Sequence, residues 1–315
     1  MSQEFSYRLI RLIIQMMSYI PYSLAQFKGK GLGIAGYHIP MSRKAVALGN
    51  IKQSYVGITD ADAKRLLRRV YMHFGQMFFE IPHVFRMKPH TVDRYVIFDG
   101  EENLINALKK KKGVFFLTAH FGNWELMCAA VSLRFGNLAV IARPADFVPF
   151  DRMINELRSH FGTEVIPKQR AMRRLLAAVK ENKLIGMLLD QNVDWYEGNF
   201  VPFFGRWACT NKGLSLLALK TGTPVIPAFQ VRQGDGRYRL IFGEEVALQR
   251  TGDKTKDMET NTERFTQVIE KYIREYPDHW FWFHKRWKTK NYCPLPMQDS
   301  ELTPNSNGLS PKEIS

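Results

Sequence analysis

The chain has 315 residues, 45% hydrophobic and 24% charged, with no fixed-period repeat; this excludes a disordered or solenoid protein and leaves room for a substantial core. Lys and Arg number 45 against 30 Asp and Glu, and the net charge of +15 suits an anionic partner: nucleic acid, anionic lipid, a phosphorylated substrate or an acidic carrier protein. Cys128, Cys209 and Cys293 are odd in number, widely spaced and without a C-x-x-C, which argues against a disulfide framework or zinc site and for a reducing compartment.

In chain order, the first feature is an uncharged run of 16 residues, 12–27, preceded by Arg8 and Arg11, followed by Lys28 and Lys30, and interrupted by Pro21. It is shorter than the roughly 20 residues of a straight membrane-spanning helix. Three readings remain open. The leading one is a membrane-associated helix, either a short span or a helix lying in the interface with its cations at the headgroups. The others are a cleaved signal peptide ending at Ser23-Leu24-Ala25 and a buried core helix.

Thr59 and Asp62 open a helix over 59–80, in which Leu66, Leu67, Val70, Phe74, Met77, Phe78 and Ile81 recur at helical spacing. From residue 95 onward, short apolar runs alternate with helical stretches. Strands are expected at 95–98, 113–119, 138–142, 163–167, 184–189, 224–231 and 237–242. Helices are expected near 101–111, 123–134, 149–160, 170–181 and 211–221, with a last one at 259–275. The strands are continuously apolar, as buried strands are. The pattern predicts an α/β fold, a mainly parallel mixed sheet flanked by helices. The stretch 190–209, with five aromatics between Trp195 and Phe204, reads as a long functional loop. The expected organisation is an anchoring segment at 1–30, a catalytic domain at 31–296 and a disordered Ser/Pro/Asn-rich tail at 297–315.

The chemistry concentrates in HFGNWE, residues 120–125. His120 follows a buried strand, at the carboxyl end where open α/β sheets place their ligands. On one continuous helix Glu125 would stand about 140° away from it. A turn at Phe121-Gly122, with Glu125 in the first helical turn, can bring the carboxylate back to the ring. A neutral imidazole so oriented takes a proton from a hydroxyl, which then attacks an acyl thioester directly. No G-x-S-x-G nucleophile is present. No other histidine lies at ligand spacing, so no metal is expected.

With HFGNWE go LDQN at 189–192, VPFFG at 201–205, TGTPVIP at 221–227 and PDHWFWFHKRWKTK at 277–290. In these five blocks, and over about residues 5–295, the chain resembles the lipid A biosynthesis acyltransferases, the late lauroyl/myristoyl transferase family of Gram-negative bacteria. The resemblance implies a glycerolipid-acyltransferase-like fold without a cofactor. It implies transfer of a fatty acyl chain from acyl carrier protein, or alternatively coenzyme A, to a hydroxyl of a lipid A precursor or another glycolipid or phospholipid. It places the enzyme at the cytoplasmic face of the inner membrane, with His120 as general base and Glu125 as its partner. Arg143 takes the place of a basic residue near the donor thioester or a substrate phosphate; its own surroundings also allow a loop-exposed arginine. Asn123, within the motif, and Asp190 and Gln191, at a strand end, are candidates for substrate contact, the last two equally for loop capping. Lys285 and Arg286, interleaved with tryptophans, suit lipid phosphates. The expected partners are acyl carrier protein and anionic lipid. Nucleic acid is disfavoured because no motif for it appears.

Overall fold

The computed structural model describes residues 2–169 and 171–290; Cys293 and the tail expected at 297–315 lie outside them. The seven expected strands all form and make one sheet: β1 (Val96–Asp99), β2 (Val114–Thr118), β3 (Leu138–Ala142), β4 (Glu164–Pro167), β5 (Leu184–Leu188), β8 (Val225–Arg232) and β9 (Tyr238–Phe242). Their order is β1-β9-β8-β2-β5-β3-β4, parallel throughout except for the β8–β9 pair. The stretch read as a long loop folds instead into an antiparallel hairpin, β6 (Gly198–Phe203) and β7 (Arg206–Asn211).

Helices α5 (Glu101–Leu108), α6 (Trp124–Phe135) and α7 (Val148–His160) cover one face, and α8 (Ala171–Lys180), α9 (Gly213–Thr221) and α10 (Lys254–Glu275) contribute to the other. β2 alternates between the two layers: Phe115 and Leu117 pack with α9 and α10, while Val114 and Phe116 pack with α6. Every β2 side chain is buried, which is why the strand reads as a continuous apolar run.

Among the described residues, four α-helices precede the sheet: α1 (Gln3–Met17), α2 (Tyr22–His38), α3 (Ser42–Ser54) and α4 (Asp60–Val84). Thr59 caps α4, its Oγ1 accepting from the Asp62 N–H at 3.1 Å. The apolar run 12–27 is divided between two helices at Pro21, whose extended backbone starts α2. Residue 30 falls inside α2. No helix among the described residues is long and apolar enough to cross a membrane, so the short-span reading finds no support. Instead α2 lies along α4 backbone to backbone. A Cβ on Gly29 would stand 2.6 Å from the Gln76 Cα, and one on Gly75 would stand 2.6 Å from the Gly33 nitrogen. Only glycine permits that approach.

Candidate active site

β2 and β5 are neighbours in parallel register, with Thr118 opposite Leu188. Two residues further along each strand come His120 and Asp190. The shared register therefore places an imidazole and a carboxylate side by side at the carboxyl edge of the sheet. His120 Nδ1 lies 2.9 Å from Asp190 Oδ1. The other carboxylate oxygen, Oδ2, accepts the Trp280 Nε1–H at 2.8 Å. Burial alone would raise the Asp190 carboxyl, but the adjoining His120 and the Trp280 donor outweigh it and hold it down at about 2. An ionised carboxylate only accepts, so His120 donates from Nδ1, and in the neutral ring the lone pair is on Nε2. The Gln191 amide nitrogen stands 3.4 Å from that Nε2, and the Trp124 ring meets the imidazole edge-on with centroids 5.2 Å apart.

The expected pairing of His120 with Glu125 is corrected by this geometry. Asn123 begins α6 by accepting the Leu126 N–H, and the first helical turn carries Glu125 towards α7. There Arg158 takes both carboxylate oxygens, Nη2 to Oε1 at 2.6 Å and Nε to Oε2 at 3.0 Å, and Trp124 Nε1 donates to Oε1 at 3.1 Å. Burial would lower the Arg158 guanidinium, yet the Glu125 charge raises it, so the pair is a fixed ion pair in the wall of the site.

The turn bearing His120 is held by the segment after α10. The Phe281 N–H donates to the His120 carbonyl at 3.0 Å, and the Gly122 N–H donates to the His279 carbonyl at 2.9 Å. Phe121 and Trp280 form an isolated antiparallel bridge. Gly122 has φ +62°, and any Cβ there would overlap the Gln230 carbonyl oxygen. The residue is glycine because the turn is left-handed and the neighbouring strand touches it.

A cavity of about 820 Å³ opens at this point. At the strand ends its lining includes His120, Trp124, Glu125, Arg158, Gln191 and Arg143. It continues to Phe116, Met127, Val131 and Leu138, so its apolar part reaches the opposite end of β3, about 13 Å away at strand rise. The volume is of the size that takes a small organic ligand, and a polar rim over an apolar interior suits an amphiphile.

The remaining candidates fall into place by burial. Arg143 and Gln191 line the cavity, and Arg143 is exposed, its carboxylate neighbour Asp146 being 3.4 Å away. Asn123 is corrected: it is fully buried, caps α6 and donates to Glu80 at 3.2 Å, so it does not face a substrate. Arg286 is corrected likewise. Its guanidinium is buried and donates to the carbonyls of Gln191 at 3.3 Å and Cys209 at 2.8 Å and to the Thr210 hydroxyl, fixing the loop after β5 rather than meeting phosphate. Lys285 is exposed and is not among the cavity-lining residues. Sequence reasoning missed Arg158 and Trp280. Trp280 lies in the aromatic block 277–290, but only the fold shows which indole meets the carboxylate.

A histidine oriented by a buried carboxylate, beside a cavity with an apolar interior, defines a site able to activate a hydroxyl towards an acyl donor: the chemistry of an O-acyltransferase. Comparison with known proteins gives the same class. The family described as bacterial lipid A biosynthesis acyltransferase matches residues 2–289, and the chain belongs to that family. Among its relatives, the lipid A biosynthesis lauroyltransferase of Escherichia coli (strain K12) is 21% identical over 282 residues, 88% of this chain and 90% of the relative. The palmitoleoyltransferase of the same organism is 21% identical over 291 residues, 90% and 89% of the two chains. The phosphatidylinositol mannoside acyltransferase of Mycobacterium tuberculosis (strain ATCC 25618 / H37Rv) is 24% identical over 223 residues, 69% and 67% of the two chains.

Proposed function

We propose that the enzyme moves a fatty acyl chain from acyl carrier protein to a hydroxyl of a lipid A precursor, with His120 as the general base. The single observation that carries the reading is the His120–Asp190 pair, 2.9 Å apart, at the rim of the cavity. His120 Nε2 takes the proton of the acceptor hydroxyl as its oxygen attacks the thioester carbonyl. The tetrahedral intermediate collapses with loss of the thiolate, which recovers that proton from the imidazolium. Asp190 holds the tautomer and steadies the imidazolium throughout. The apolar interior receives the acyl chain, and Arg143 at the rim offers a cation to phosphate or to developing negative charge. No step calls for a cofactor.

The same reading places the protein at the cytoplasmic face of the inner membrane, lying on the bilayer. Leu9, Leu12, Ile13 and Met16 of α1 and Phe27 and Leu32 of α2 are exposed, with Arg8, Arg11, Lys28 and Lys30 among them. That mixture suits the boundary between acyl chains and anionic headgroups. The net charge of +15 suits both that surface and an acidic carrier protein.

Lipid mass spectrometry of a strain with and without the gene, complemented by wild type or by His120→Ala, tests the reading. Gain of one acyl group on lipid A, restored by wild type and not by His120→Ala, is the expected result. The mannoside relative favours a second reading, in which another glycolipid is the acceptor. An acyl change on a different lipid, with lipid A unaltered, would establish it.

A further inference from the structure

Glu80 stands outside the cavity lining and is fully buried, yet four side chains from four separate places in the fold donate to it. Gln26 of α2 reaches Oε1 at 2.8 Å. Arg232, at the end of β8, brings Nη2 to Oε2 at 3.1 Å and Nη1 to Oε1. The Tyr238 hydroxyl of β9 donates to Oε2 at 2.9 Å, and Asn123 donates to the same oxygen at 3.2 Å. Asn123 is the last residue of the turn that begins at His120. Arg232 also reaches that turn by a second route. Its backbone N–H donates to His279 Nε2 at 3.0 Å, and the His279 carbonyl accepts the Gly122 N–H. Gln26 in addition donates to the Gly236 carbonyl at 2.7 Å, tying α2 to the β8–β9 connection. A buried carboxylate with this many donors is fixed in place, and so is whatever it holds.

We propose that Glu80 is a positioning residue for the transfer reaction: through Asn123 it sets the turn that aims His120 at Asp190, in register with α2, α4 and the β8–β9 hairpin. The proposal rests on the reading of His120 as the base. It requires a small displacement at Asn123 to lower turnover without weakening either substrate's binding.

The decisive variant is Asn123→Ser. Serine still caps α6 but is too short to reach Glu80, and it leaves Gln26, Arg232 and Tyr238 on the carboxylate. In the purified full-length enzyme, kcat should fall between about 10- and 100-fold, with KM for both substrates within about twofold. Glu80→Gln should lose kcat to a similar extent, and the double variant should lose little more than either single one. Should Glu80→Gln fail to fold, Asn123→Ser decides alone. The His120 ring nitrogen resonances, assigned by their loss in His120→Ala, are read on the same samples and should move in Asn123→Ser. Wild-type kcat in Asn123→Ser overturns the proposal. So do unmoved ring resonances if the wild type shows no measurable transfer, a result that would overturn the proposed activity separately.

Discussion

Two buried carboxylates flank the cavity and have different partners, Asp190 the His120 imidazole and Glu125 the Arg158 guanidinium. Their removal should therefore fail in different ways. Asp190→Asn frees the imidazole to adopt the other tautomer, and kcat should fall about 10²- to 10⁴-fold in steady-state assays. Glu125→Gln strands a largely buried guanidinium, and chemical denaturation should show a loss of about 3–5 kcal/mol. Acid should act on other groups first. His73 is fully buried, and that burial, together with the nearby His279 and Arg232, holds its pKa well below 6.5; His284, at the cavity wall, is lowered to about 4, chiefly by burial and also by Arg286, His120 and Arg43 against the opposing pull of Asp190. For both histidines the unfolded chain takes up protons that the folded chain refuses. Their contribution to stability is thus complete above about 6.5 and shrinks as pH falls below it, for His284 as pH falls towards 4. Asp190, held at about 2, contributes fully above its ordinary value of 3.8 and loses that contribution only as pH falls towards 2. Thermal unfolding across pH 7 to 4 should show a falling Tm, and His73→Gln should flatten the slope.

At the scale of elements, α2 and α4 meet through Gly29, Gly33 and Gly75, and their closeness is what lets Gln26 reach Glu80. Gly75→Val should overpack that seam at a cost of about 1–3 kcal/mol and expose the α1–α2 segment to limited proteolysis before the sheet unfolds. The sheet was legible in the sequence because its strands are buried on both faces and bounded by turns. The β6–β7 hairpin was not: Pro202 interrupts its pattern, and a proline inside a run argues against a strand. Its pairing keeps Pro202 in a two-stranded ribbon, where proline is tolerated. The candidate site was half legible. His120 announced itself by its place after β2, whereas its partner lies 70 residues away in sequence, and a turn at Phe121-Gly122 together with the resemblance pointed to the nearby Glu125 instead. Asp190 becomes adjacent through parallel strand register, which a single sequence does not display. Asn123 and Arg286 were misplaced for a related reason: polar residues in a motif look available to ligands until their buried hydrogen bonds are known.

For the whole molecule, the exposed apolar residues of α1 and α2 and the excess of cations make a joint expectation. The protein should sediment with vesicles containing phosphatidylglycerol and release from them progressively as salt rises; replacing Leu9, Leu12 and Met16 with Ser should weaken binding further at high salt, where the apolar part dominates. The stretch from His279 to Arg286 has a different bearing on the life of the protein. It braces the His120 turn, supplies the indole that engages Asp190 and pins the loop after β5. Among the described residues, the strands and the long helices are all synthesised before it. With His120 as the base, as proposed above, a nascent chain can build its sheet while still lacking an aligned proton acceptor, so that the capacity for acyl transfer awaits the emergence of Trp280 and Arg286 from the ribosome.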